Sequence, residues 1–460
     1  MQYVALSYCW GTTAQRGTTR SNISSRRQSI NVSELPKTLQ DAIRVAQSLG
    51  FQYIWIDSLC IVQDDVDDWA TESSNMAHIY SAACLVIAAT RAKDCAEGFL
   101  QPWKEPPVLD WNLPSKPLSK VTARSTTSHA CPSQNPIIDG QPLHGRAWAM
   151  QERELARRIV HFLPDEISWR CQKIAFCECG IPEDPLDSLD STLRSSALAS
   201  FPSHGIRDRC DEHTFSVAWI KLLVAYGHLG ITQPTDTLPA LSGIARYIEH
   251  LQPGQYIAGL WEKDIAMQLA WSVNNGIHVR RPRDSLEGPT FSWISARRTF
   301  RYIESGPGYE ARCTFVAATQ TLATANPYGH VLDCSLALRG RTIQTVKFSA
   351  RIVQAKERDK GSHKRTRVWL QLDGDDDYCS PFLDSRGNMI TVHDIFDQPC
   401  VVCLELYRSK RDGPRNDAVA TALVLQQRVG ETSYTRLGLA FYIPPTWFDK
   451  DGVEEIVTIV

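Results

Sequence analysis

The feature that most constrains this chain is an alternation of apolar runs near its N-terminus. Residues 3–9 (YVALSYC) mix β-branched, aromatic and apolar side chains and stop at the breaker cluster Trp10-Gly11-Thr12-Thr13. That is the pattern of a strand opening into a loop. After a polar loop at 14–31, Pro36 opens a helical pattern. Leu39, Ala42, Ile43, Ala46 and Leu49 make its apolar stripe, and Gly50 stands at the position just past its end. Residues 53–60 (YIWIDSLC) are apolar on both alternating faces until Asp57 and Ser58. This predicts a buried parallel strand covered by helices on two sides. Asp64, Asp65, Asp67 and Asp68 precede a helix predicted over 69–83, where acids favour the positive end of the dipole. Residues 84–89 (CLVIAA) give a third buried strand. Strand-helix-strand-helix-strand predicts an α/β domain on an open, mostly parallel sheet with flanking helices and right-handed crossovers.

The pattern then breaks. A Pro- and Ser-rich stretch at 101–141 reads as a loop insertion, followed by a helix at 146–156 and short strands at 158–162 and 167–171. Residues 176–284 read as mainly helical, with helix-spaced apolar residues at 213–228, 237–250 and 261–271. Residues 285–460 read as β-rich, in runs at 342–353, 367–372, 401–407, 420–426 and 436–443. The expected organisation is 1–175, 176–284 and 285–460, in keeping with about 150 residues per domain.

A formal net charge of −2 supplies no basic field for gripping nucleic acid. No run approaches the roughly 20 apolar residues of a spanning helix. No basic segment precedes an apolar run at the N-terminus, so a secretory signal is not expected and the cytoplasm is. The 14 cysteines are then expected to be reduced, with Cys9, Cys60, Cys84, Cys334 and Cys403 acting as buried small hydrophobes. Cys400 and Cys403 lack a second pair to complete a four-ligand set. Cys171, Cys177 and Cys179 with His161 match no common zinc spacing, so no metal is expected.

Three blocks carry a resemblance. The first is YVALSYCWG at 3–11. The second is LPKTLQDA at 35–42 and YIWIDSLCI at 53–61, then Gln63-Asp64, Asp68-Trp69, Glu72, Met76, Ile79-Tyr80 and Ala83. The third is RAWAMQE at 146–152 with Arg158-Ile159. In order and spacing they resemble the heterokaryon incompatibility (HET) domain of filamentous fungi. The family usually has Arg-Gly-Trp and Leu-Gln-Glu in the third block, where this chain has Arg146-Ala147-Trp148 and Met150-Gln151-Glu152. The family also often carries a segment ahead of the first strand, so whether an edge element or regulatory arm is missing here stays open. DTLPALSG at 236–243, AGLW at 258–261 and FSW at 291–293 are similar to the usual downstream part. The resemblance implies nonself recognition and programmed cell death on incompatible fusion. It also implies a TIR-like (flavodoxin-like) sheet, and many TIR domains cleave NAD⁺. NAD⁺ would be a substrate, and no cofactor is required. Fold alone does not fix that activity. Self-association or another incompatibility protein supplies the implied partner.

Glu72 is the candidate catalytic residue. It shares a helical stripe with Trp69, Met76, Ile79 and Ala83, so a carboxylate falls on an apolar face. In TIR-type NAD⁺ hydrolases a glutamate on a helix after a strand engages the nicotinamide ribose, and an aromatic often precedes it. Trp69 and Glu72 look similar. Asp57, Ser58 and Cys60 end their strand, and Ser7, Trp10 and Gly11 end the first, so all six fall where open α/β sheets bind ligands. Arg146 is a candidate anion contact, with Trp148 beside it; Trp10 and Trp69 are candidates to stack on a base. Each has a plainer role open to it. Glu72 or Asp57 would pair with Arg146, Asp57 would cap a turn, and the tryptophans would fill the core. Cys60 as a nucleophile needs a base such as His78 or His161. Two functions are open: an NAD⁺-consuming effector, or a signalling module that works by association.

Overall fold

The computed structural model describes residues 2–12, 17–100, 108–113, 116–122, 140–171, 174–178, 198, 212–273, 288–296, 299–303, 306–344, 369–372, 379–381, 400–410, 417–428 and 430–460. Most of the 101–141 insertion, Cys179 and residues 345–353 lie outside them. The chain forms two compact units. The first is Met1–Ile206 with two later returns, His228–Thr232 and Pro239–Tyr247. The second is Arg207–Gly227, Gln233–Leu238 and Ile248–Val460.

In the first unit the elements run β1 (Val4–Ser7), α1 (Lys37–Ser48), β2 (Ile54–Trp55), α2 (Asp57–Cys60), α3 (Val66–Ala82) and β3 (Leu85–Ala88). Next come α4 (Ala147–Leu155), β4 (Arg158–Phe162), β5 (Ile167–Cys171) and β6 (Ala175–Cys177). A separate hairpin, Val108–Leu113 with Lys116–Thr122, falls in the insertion. Among the described residues the main sheet has six strands in the order β2-β1-β3-β4-β5-β6. The first four are parallel, and β5 and β6 are antiparallel. The order 2-1-3-4 is the flavodoxin-like arrangement, and it places a topological switch point between β1 and β3.

Alternation of side chains along the strands explains the layering. Val4, Leu6, Leu85 and Ile87 face Leu39, Ala42 and Ala46 of α1. Ala5, Val86, Ala88 and Ile159 face Met76 and Tyr80 of α3 and Ala149 of α4. Helix α1 starts at Lys37 after Pro36 and ends with Gly50 at φ 79°, as its sequence requires. Helix α3 starts earlier than expected, because Asp65 caps the amides of Asp67 and Asp68.

Three expectations need correction. The run 53–60 is a strand only at Ile54–Trp55, and it is a half-buried edge strand rather than one covered on both faces. Asp57 begins a helical turn instead, its Oδ1 accepting the Ser58 amide at 2.6 Å. Cys60, at the end of that turn, is exposed and Cys84 is half-buried, so neither is a core thiol. The expected helix at 261–271 is a strand, Leu260–Trp261, then one turn, Ile265–Gln268, then a strand, Trp271–Val273. There the Gln268 side chain takes the Trp261 amide at 2.8 Å and donates to its carbonyl at 3.0 Å, substituting for backbone pairing.

The second unit contains the expected helix as Glu212–Gly227. Trp219 of that helix packs edge-on against Tyr256 and Trp261, which meet edge-on themselves. Among the described residues its main sheet has nine strands, including Val331–Gln344, Val401–Lys410, Ala418–Gln427, Tyr434–Ile443 and Val453–Ile459. Among the described residues no helix is long and apolar enough to cross a membrane.

Candidate functional site

The parallel strands deliver polar residues to their carboxyl edge at the switch point. Ser7 ends β1 on the face of Ala5, toward α3 and α4. Its hydroxyl donates to Glu152 Oε2 in the middle of α4. Tyr80 of α3 donates to the Leu6 carbonyl at 2.9 Å. Tyr8, on the opposite face, donates to Ser58 Oγ at 2.8 Å. Trp10 Nε1 donates to Asp57 Oδ2 at 2.8 Å. Arg146, at the cap of α4, donates from Nη1 to the Tyr8 carbonyl.

Burial dominates the electrostatics. Glu152 is 6% exposed. Desolvation raises its carboxyl to about 7. The Ser7 hydroxyl and Arg146 charge pull it down, Asp57 pushes it up, and the Tyr80 hydroxyl pulls it down again. Asp57 is raised as well, first by burial, against the Trp10 donor, the Arg146 charge, the Ser58 amide and the Tyr8 hydroxyl. Two carboxylates and one guanidinium thus share one desolvated cluster. Asp57 keeps partial solvent access, so the cluster reaches the surface on its side.

Ser7, Trp10, Asp57 and Arg146 therefore come together. Glu72 stands apart from them. It is half-buried and has no hydrogen bond or ion pair among the described residues. Burial, then Asp68, raises its carboxyl. It is not the partner of Arg146, whose charge acts on Asp57 and Glu152. Trp69 meets Trp148 edge-on, with ring centroids 6.4 Å apart. This contact joins the first turns of α3 and α4. Gly11, at φ 75°, is a loop requirement, since a Cβ there would collide with the Asp94 carboxylate. That carboxylate accepts the Thr12 amide at 2.8 Å.

Cys60 has no activating base among the described residues. Desolvation of its sulfur, with Asp57 and Glu72, raises its thiol. His78 is exposed, and His161 is bonded elsewhere, with Nδ1 3.0 Å from Thr90 Oγ1. His161 also lies opposite Ser168, whereas Cys171 lies opposite Arg158 and Cys177 is one strand further on, opposite Ser168. Among the described residues no His, Cys, Asp and Glu group is arranged to hold a metal.

The residues that sequence reasoning left out are Glu152, Tyr8 and Tyr80. Glu152 has a signal. It lies three residues from Ala149 and Leu155, both buried, so a carboxylate falls on the inward stripe of α4. Tyr8 has none, because its hydroxyl finds its role only through Ser58 in the helical turn after β2.

No curated protein and no solved structure matches the chain. Residues 3–152 match the family model described as Heterokaryon incompatibility protein (HET). That span includes β1, α1, β2, α2, α3, β3 and α4 through Glu152, and so every member of the polar cluster. Residues 3–152 of this chain thus form a HET-type domain.

Proposed function

We propose that the HET domain cleaves the nicotinamide glycosidic bond of NAD⁺, within a nonself-recognition response that ends in cell death. The carrying observation is the position of Glu152. It lies at the switch point, bonded by the hydroxyl that ends β1, one helical turn after Trp148. An aromatic one turn ahead of a glutamate, on a helix after a parallel strand, describes both Trp148 with Glu152 and Trp69 with Glu72, but of the two glutamates Glu152 is the one bonded at the end of β1. In this reading Glu152 is the catalytic carboxylate and Glu72 is not.

The step balances simply. The C1′–N bond breaks and its electron pair leaves with nicotinamide, giving an oxocarbenium-like ribose. A fixed carboxylate stabilises that charge. Water then adds to C1′ and loses a proton, leaving ADP-ribose. Arg146 suits the pyrophosphate, and Trp10, Trp69 and Trp148 suit the rings. Substrate has to displace the Ser7 hydroxyl, because Glu152 is otherwise covered.

The test is NAD⁺ loss and nicotinamide release by the purified chain, beside Glu152→Gln and Glu72→Gln. Turnover lost in Glu152→Gln and kept in Glu72→Gln is expected. The opposite pattern moves the role to Glu72. A native chain without turnover overturns the hydrolase reading. A signalling module is then favoured by a specific observation: both Asp57 oxygens and Glu152 Oε2 are already taken by donors from the protein. Concentration-dependent self-association in sedimentation, without NAD⁺ turnover, is its signature.

A further inference from the structure

Helix α4 carries Arg146 and Glu152, yet two of its attachments come from beyond the family-matched segment. At its start, the Gly230 amide donates to the Gly145 carbonyl at 2.7 Å. The Ala147 amide donates back to the Gly230 carbonyl at 3.1 Å, so Arg146 and Gly230 form a parallel bridge. In its middle, Gln151 Oε1 accepts the Gly243 amide at 2.6 Å. Gly243 lies in α5 (Pro239–Ile248) and packs so closely that a Cβ would collide with Ala77 of α3 and with Gln151. Gln151 is fully buried and adjacent in sequence to Glu152. Both returning segments, His228–Thr232 and Pro239–Tyr247, belong to the first compact unit.

We propose that His228–Thr232 and Pro239–Tyr247 are positioning elements of the HET site, holding α4 so that Arg146 and Glu152 face the carboxyl edge of β1. The inference rests on Glu152 as the reacting carboxylate. The family-matched segment is, on this view, incomplete as a working site. A bond at the cap of a helix fixes where the cap side chain starts, and a bond one turn later fixes the rotation of the helix. A small misplacement of a catalytic group costs rate out of proportion to its effect on folding.

Gly230 allows a clean test in the full chain. Its φ is not left-handed, and a Cβ there meets nothing nearer than the Gly145 carbonyl at 3.4 Å. Gly230→Ala therefore keeps the amide donor, and Gly230→Pro deletes it. Two readouts are taken: NAD⁺ turnover, and the titration of the Glu152 carboxyl by carbon NMR, assigned with Glu152→Gln. In Gly230→Pro, kcat falls about tenfold with KM little changed. The Glu152 midpoint, about 7 in the native chain, rises by about half a unit or more as the Arg146 charge retreats. Gly230→Ala matches the native chain in both. An unmoved midpoint and unchanged turnover in Gly230→Pro overturn the proposal. If the native chain turns over no NAD⁺, the midpoint alone decides, and the hydrolase reading falls separately. If Gly230→Pro does not fold, hydrogen exchange of the native chain decides. Amides of Ala147, Gly230 and Gly243 as protected as Val86 support the proposal, and fast exchange at Gly230 and Gly243 overturns it.

Discussion

The indole of Trp10 and the carboxylate of Asp57 form one unit: Nε1 donates to Oδ2 at 2.8 Å, across 47 positions of sequence. The bond ties the loop after β1 to the turn after β2. Trp10→Phe keeps the ring and deletes the donor. It should cost about 1–2 kcal/mol in urea unfolding at pH 8, since the acceptor is left short of a partner. The cost should shrink at pH 5, where Asp57, already raised by burial, is more readily protonated. An equal cost at both values would mean that the carboxylate does not need the indole.

Glu152 makes stability depend on pH in a direction opposite to ordinary acid denaturation. Its carboxyl is about 7 in the folded chain, against about 4.3 when unfolded. The folded state binds the extra proton between these values, so its contribution is complete below the lower one and is lost as pH rises through the upper. The loss amounts to about 3 kcal/mol by pH 8. Glu152→Gln carries no such loss. The stability difference between it and the native chain should swing in favour of the variant by about that amount from pH 5 to 8. A flat difference would show that Glu152 titrates normally.

Gly243 is held at contact distance from Ala77 and Gln151. Gly243→Ala should destabilise by about 1–3 kcal/mol through overpacking, despite the better helix propensity of alanine. Thermal unfolding reads the sign directly, and a stabilised variant would refute the close approach.

Asp41 in α1 has no exposed side-chain surface and binds Lys37 and the amides of Phe99 and Leu100 at 2.9 and 3.1 Å. Burial opposes its ionisation, but Lys37 and those amides outweigh it and lower its carboxyl. Such a group contributes stability above its unfolded value and loses it as pH falls through the folded one. Asp41→Ala should cost about 3 kcal/mol at pH 7, because two amides and an ammonium lose their acceptor. The deficit should narrow below about pH 4. Equilibrium unfolding at both pH values checks it.

The inner parallel strands of the sheet were legible because they are single apolar runs separated by helical patterns with clear breakers. Leu85–Ala88, Arg158–Phe162 and α1 fall where periodicity and breakers put them. The edge was not legible. Ile54 and Trp55 read like a core strand, but the path of the chain beyond them is decided by the Asp57 side chain bonding its neighbour's amide, a local choice invisible to hydrophobic pattern. The middle of the chain failed for a related reason, since Gln268 pairs with backbone that a helix would have used itself. At the site, sequence brought Ser7, Trp10 and Asp57 to one edge through the rule that strand ends bind ligands, and named Arg146 separately as an anion contact. It did not single out Glu152, because only three-dimensional packing says which helix stands over the end of β1.

The exposure of Cys60 has a practical consequence. Among the described cysteines, Cys60 is the exposed one, and the others are buried or half-buried. Compared with those cysteines, a thiol-reactive dye offered at a pH alkaline enough to ionise its raised thiol would attach at Cys60, at the end of the turn that begins with Asp57. That places an optical reporter beside the cluster without altering any group in it, so ligand arrival could be followed in a native chain by a change of colour or brightness.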